Sequence, residues 1–213
     1  MPILWLVQSG FDCLLPGDQL LMELSETAAI LEFLRSAEKL KNVTRSAWTS
    51  AGTPESVAEH TWRLCLMALV LSERVGPVDV GRLLKMCIVH DLGEAISGDV
   101  PAIHQDPAVP KSDAERRDLL TLVKPLPADI TEEIVALWDE YEHAASAEAK
   151  IAKALDKLET IMQHNQGRNP ADFDYRFNLT YGLEYTGAHE VIAAVRAVLD
   201  AETEERARHT PPP

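Results

Sequence analysis

The stretch LLKMCIVHDLGEAISGDVP, residues 83–101, is an apolar helical run that ends in His90-Asp91 and meets a turn residue at Gly93. Upstream, Glu59-His60 opens a second apolar run, and downstream Asp156 sits inside a third, residues 152–162. A carboxylate isolated among apolar residues is costly unless something balances its charge. Two imidazoles and two carboxylates, brought from three helices, make a mixed nitrogen and oxygen set suited to one divalent cation. Each residue also has a plainer reading. A histidine at a helix end is commonly a cap or a surface group, and Asp156 can pair with Lys153 or Lys157 on its own helix. What favours the metal is that all three segments occur together, each on an apolar helix.

The surroundings of that stretch are helical throughout. Helical spacing of apolar residues predicts helices over residues 23–40, 56–75, 79–92, 112–123, 128–141, 146–163 and 187–206. Ser56 with Glu59 three residues later is a capping signal, and Asp79 caps the next helix. Residues 42–54 (NVTRSAWTSAGTP) carry no helical stripe and read as a loop, as do residues 104–110. Residues 167–182 read as irregular. No strand shows convincing alternation, so the expected class is all-α: one bundle of about seven helices over residues 22–206. Residues 1–21, which lack Lys and Arg, read as an extension, and residues 207–213 as a disordered tail.

At 213 residues and 46% apolar, the chain can bury one substantial core. A formal net charge of −14 disfavours a general nucleic-acid binder, because phosphate backbones are held by clustered Lys and Arg. A small phosphorylated ligand remains compatible with that charge. Cys13, Cys65 and Cys87 form neither a C-x-x-C pair nor an even framework, which points to a reducing cytoplasm. No run approaches the length of a membrane span.

The segments PESVAEHTWR (54–63), VHDLGEAISGDVP (89–101) and WDEYEHAASAEAKIAKALDKLETIMQ (138–163) together resemble the HD-domain metal-dependent phosphohydrolases. Their wording is most similar to the HD-domain 5′-deoxynucleotidases, through the E-x-x-x-x-G-D-x-P that follows the His-Asp pair. The resemblance spans about residues 24–163. It implies that His60, His90, Asp91 and Asp156 hold one divalent metal, with Co or Mn favoured among Co, Mn, Zn, Fe, Ni and Mg. It also implies that Glu94 and Asp99 are catalytic carboxylates beside that metal. Read alone, they are a helix-end acid and a turn former.

Hydrolysis of a phosphomonoester needs an aimed water and a route for protons, which carboxylates close to a metal can supply. Arg45 and Trp48, in the loop before Pro54, have the types that grip phosphate and stack on a base, and RSAW (45–48) is similar to the family's nucleotide-contacting element. Arg63, one helical turn after His60, is placed either to neutralise local carboxylates or to contact phosphate, and Glu140 and Glu142 are candidates for a pocket rim. His104, His143, His164 and His189 lack partners at ligand spacing. The implied activity is release of phosphate from nucleoside 5′-monophosphates, with the deoxy preference resting wholly on the resemblance. Alternatives are a dNTP triphosphohydrolase, a cyclic-nucleotide phosphodiesterase, an alarmone hydrolase or a non-catalytic nucleotide sensor. Family habit and apolar stripes on the C-terminal helix suggest a homodimer.

Overall fold

The computed structural model describes residues 17–99 and 111–210. Most of the expected N-terminal extension, the expected loop at 104–110 and the end of the tail lie outside the described residues. Seven helices of ten residues or more are found among those described: α1 (Gly17–Ala37), α2 (Val57–Leu71), α3 (Val80–Val89), α5 (Lys111–Val123), α6 (Ala128–Glu142), α7 (Ala147–Gln166) and α9 (Glu190–His209). Two single turns, α4 (Glu94–Ser97) and α8 (Leu183–Thr186), complete the set. The all-α reading therefore holds. No described helix is long and apolar enough to cross a membrane.

Three details differ from expectation. Residues 42–54 are not all loop: β1 (Thr44–Trp48) pairs antiparallel with β2 (Pro54–Ser56). These strands are too short to show alternation, and their pairing depends on a tight turn in which Thr49 N donates to Thr53 O at 2.8 Å. The first helix begins at Gly17 rather than after residue 21, and the last continues to His209, so Ala207, Arg208 and His209 are helical rather than tail. The span 167–182 contains one 3-10 segment, Tyr175–Leu179.

The caps act as the sequence suggests. Ser56 closes β2 and caps α2: its Oγ accepts from Glu59 N at 3.2 Å, and the Glu59 carboxylate accepts from Ser56 N at 2.7 Å. That pair of bonds sets where α2 starts and so places His60 in its first turn. Asp79 Oδ1 accepts from Arg82 N at 3.0 Å and starts α3, whose C-terminus delivers His90. Trp138 of α6 donates to the His90 carbonyl at 3.0 Å, tying that terminus down.

The helix α7 is the axis of the fold, packing against α2, α3, α6, α8, α9 and β1. Its apolar side chains Ile151, Leu155, Leu158 and Ile161 are buried in the core with Leu64, Leu83, Met86 and Leu119. A helix surrounded in this way buries its polar residues as well. Asp156, Glu159, Thr160 and Gln163 follow i, i+3, i+4, i+7 spacing and are all buried, forming a polar stripe inside the bundle.

Candidate metal centre

Four side chains meet where α2, the end of α3 and α7 converge. His60 Nε2 lies 3.2 Å from Asp156 Oδ1 and 3.8 Å from Asp91 Oδ2. His90 Nε2 lies 3.0 Å from Asp91 Oδ2 and 3.9 Å from Asp156 Oδ1. His60, His90 and Asp156 are buried and their ligand-type atoms fall within 4.8 Å of one another. Asp91 stands at the solvent side, its side chain 21% exposed. Both Nε2 atoms are buried and make no hydrogen bond of good geometry. Two orphaned ring nitrogens facing two carboxylates are the donor set a borderline divalent cation takes, so these residues fit one.

The remaining atoms of these groups are held from outside. The His90 Nδ1–H donates to Cys87 O at 2.9 Å, which leaves Nε2 as the free nitrogen. His60 turns Nδ1 to the Glu159 carboxylate in a short hydrogen bond. Asp156 Oδ2 accepts from Tyr141 OH at 3.0 Å and from Lys157 Nζ at 2.8 Å, leaving Oδ1 directed at the histidines. Thus the Lys157 pairing that the sequence offered as an alternative coexists with a place in the cluster, using the other oxygen.

Charge balance follows from this arrangement. Burial opposes ionisation of Asp156, but Lys157, His60 and His90 hold its carboxyl well below the usual range. Burial likewise opposes ionisation of Asp91, and His90 and His60 outweigh it, so its carboxyl titrates far below normal. For His60, burial and Arg45 push the imidazole down, while Glu159 and Asp156 win and raise it to about 9. A divalent ion supplies more positive charge than that proton and would displace it, as metal binding to histidine requires.

A second group of potential ligand atoms, from Glu55, His60 and Glu159, shares the same imidazole. Its positive charge is already provided. Arg45 lies 3.4 Å from Glu55 and 3.5 Å from Glu159, and Arg63 Nε donates to Glu159 Oε1 at 2.7 Å. Burial opposes the charge on Glu159, yet His60, Arg45 and Arg63 hold it down at about 2. Glu55, buried and beside Glu159, is pushed up to about 7 despite Arg45. The side of His60 that carries Nδ1 is therefore an ion-pair network, and the side that carries Nε2 is the cation-seeking one.

The other sequence-predicted residues distribute unevenly. Arg45 is mostly buried on β1 and also donates to Thr160 at 3.0 Å, so it bridges the hairpin to α7. Trp48 is half-buried at the far end of β1, edge-on to Phe173 at 6.4 Å, and its carbonyl accepts from Gln163 at 2.5 Å. Gln163 is seven residues beyond Asp156, about 10 Å along the helix. The His-Asp cluster, the two arginines and the Trp48 backbone are thus met in turn along the α7 polar stripe. Glu94 is buried one turn after Asp91, its N–H donating to Asp91 O at 3.1 Å. Asp99 is half-buried and is the last described residue before α5.

Glu140 and Glu142, the candidates for a pocket rim, are both engaged in ion pairs. The first pairs with Arg82 of α3 and the second with Lys153 of α7 at 3.1 Å. His164 bonds Asn178 at 2.9 Å, His189 caps α9, and His143 bonds the Asp139 carbonyl, while His104 lies outside the described residues. Sequence alone does not single out Glu159 and Tyr141 as partners of these groups, nor Glu55 in the neighbouring ion-pair network. The clue to Glu159 was present: it follows Asp156 by three, as Arg63 follows His60, and such spacing puts each pair on one helical face. Glu55 and Tyr141 carry no comparable signal.

Residues 37–196 match the family described as HD domain. The chain is 37% identical over 139 residues to the 5′-deoxynucleotidase HDDC2 of Bos taurus, a match covering 64% of this chain and 67% of that protein. It is 29% identical over 187 residues to the Xenopus laevis protein of the same name, covering 84% and 92%. Among solved structures, one from Magnetospirillum magnetotacticum, named a predicted metal-dependent phosphohydrolase, superposes with TM-score 0.72 at 30% identity, covering 86% of this chain and 96% of that one. A Pyrococcus horikoshii protein superposes with TM-score 0.57 at 28% identity, covering 82% and 98%.

Proposed function

We propose, for a chain that belongs to the HD-domain family, metal-dependent release of phosphate from nucleoside 5′-monophosphates, with deoxyribonucleotides preferred. The observation that carries the reading is the pair of orphaned Nε2 atoms facing Asp91 and Asp156. The names of the HDDC2 relatives support the substrate class.

In this reading His60, His90, Asp91 and Asp156 hold one divalent ion, with Co or Mn expected. The bound ion supplies charge that polarises the phosphate and makes a water more acidic. The chain's own residues do the rest. Glu94 orients the attacking water and accepts its proton, and Asp99 is a second proton-transfer or substrate-orienting group. Arg45 and Arg63 offer guanidinium N–H groups to phosphate oxygens at the edge of the cluster. Trp48, at the end of β1, offers an aromatic face to the base. A monophosphate is the substrate these groups suit, because two arginines are few for a polyphosphate.

A cytoplasmic location accords with the free thiols of Cys65 and Cys87. A homodimer accords with the outer face of α2, where Trp62, Leu66, Leu69 and Val70 follow helical spacing and are 67%, 44%, 55% and 60% exposed. On the C-terminal helix, where apolar stripes are expected, Ile192, Leu199 and Ala207 are buried and Val198 is 61% exposed. Phosphate release should be measured for dNMP, NMP, dNTP, cyclic and 3′-phosphate substrates with metal-stripped and reconstituted protein. Metal-dependent turnover confined to 5′-monophosphates is expected. Faster turnover of a dNTP or a cyclic nucleotide, or binding of dNMP without release, would overturn the reading.

A further inference from the structure

We propose that Glu159 is a positioning residue for metal binding, one that selects Nε2 of His60 as the ligand atom and holds two arginines at the same edge. This inference rests on the metal-site reading above.

Glu159 is fully buried, and all of its bonded partners are cationic or can become so: His60, Arg63 and Arg45. A carboxylate in that position cannot exchange partners with water. Its oxygens divide the work, Oε2 meeting the His60 Nδ1–H and Arg45, and Oε1 meeting Arg63. Accepting the Nδ1–H fixes the tautomer that leaves a lone pair on Nε2, and the negative charge makes that lone pair more basic. Outer carboxylates on metal-bound histidines act in this way, and removing one typically weakens metal affinity by about 10–100-fold. The other histidine is oriented by a neutral carbonyl, Cys87 O at 2.9 Å, so the two ligands are not equivalent. The charged anchor falls on His60, the ligand that sits deepest at 0% exposure.

Two facts separate this role from direct ligation. Glu159 faces Nδ1, whereas Asp91 and Asp156 face Nε2. The space beside Glu159 and Glu55 is taken by the Arg45 guanidinium, which a cation would have to displace. Glu55 therefore provides the control, being grouped around the same imidazole but bonded to Arg45.

The test titrates the metal-stripped full chain with Mn²⁺ or Co²⁺ in a calorimeter, with circular dichroism confirming the fold of each variant. For Glu159→Gln the expected result is at least a tenfold weaker metal Kd. For Glu55→Gln it is a Kd within about threefold of the parent. At saturating metal, Glu159→Gln should regain most of its kcat while KM stays raised, because the arginines lose their anchor but no reacting group is lost. If Glu159→Gln does not fold, Glu159→Asp keeps the charge, withdraws it from Nδ1 and is read the same way. An unchanged metal Kd in a folded Glu159 variant overturns the proposal. Equal losses in the Glu55 and Glu159 variants also overturn it, since they would put the ion on the Nδ1 side. The titration uses no nucleotide, so a failed substrate screen leaves its outcome intact, whereas a parent chain that binds neither ion refutes both.

Discussion

Replacing Gly182 with alanine should unseat Lys157 from Asp156 and weaken the centre from outside. Gly182 adopts φ +67°, and a Cβ there would lie 2.5 Å from Lys157 Cγ and 2.7 Å from Lys157 Cβ. The second of those atoms is fixed to the α7 backbone and cannot swing away, so the lysine and its helix, or the loop, must shift. Three costs combine. A non-glycine residue in the left-handed region costs about 1–2 kcal/mol. Overpacking costs about 1–3 kcal/mol. Loss of the 2.8 Å charge-assisted bond from Lys157 to Asp156 costs about 1.5–3 kcal/mol. Gly76→Ala isolates the first cost, because Gly76 has φ +92° and a methyl group there would meet nothing within 4 Å. Allowing for overlap between the other two, Gly182→Ala should lose about 2–4 kcal/mol more than Gly76→Ala. At about 2–4 °C per kcal/mol for a chain of this size, its Tm should be lower by roughly 5–15 °C. Thermal melts of both variants, with and without Mn²⁺, measure the difference. Equal melting temperatures would refute the claim that the Lys157–Asp156 contact depends on a missing side chain at 182.

Other expectations can be checked independently. Alanine at His90 or Asp91 should abolish metal binding and phosphate release from dAMP together, read by metal analysis and a phosphate assay; full turnover in either variant would remove them from the centre. His164 is held down at about 4, chiefly by burial, so the fold favours its neutral form. Its contribution is present above the unfolded value near 6.5 and is lost as pH falls from there towards 4, in total about 3 kcal/mol. Urea unfolding at several pH values should therefore show a shallower decline between pH 6.5 and 4 in His164→Gln, and parallel curves would contradict this. Trp62→Glu should convert a dimer into monomers in light scattering without lowering Tm by more than a few degrees, and an unchanged mass would remove α2 from the interface.

The sequence by itself determined what depends on neighbours within a few turns. Apolar spacing marked the seven long helices, Ser56 and Asp79 marked where α2 and α3 begin, and His60, His90, Asp91 and Asp156 stood out as polar groups on apolar helices. Tertiary structure alone decided which atoms those groups present. Glu159 and Arg45 are 114 residues apart, and Tyr141 reaches Asp156 from one helix to the next. Spacing can put Glu159 on the face of Asp156. Nothing local in the chain announces the pairing of Glu159 with Arg45 or that of Tyr141 with Asp156, because the energy of both comes from burial that exists only after the elements have packed. The β1–β2 pairing is of the same kind, strands of five and three residues stabilised by a turn and by α7 rather than by their own pattern. Local periodicity could name the residues of the centre; only the packed bundle could orient His60 with Nε2 inward and Nδ1 against Glu159.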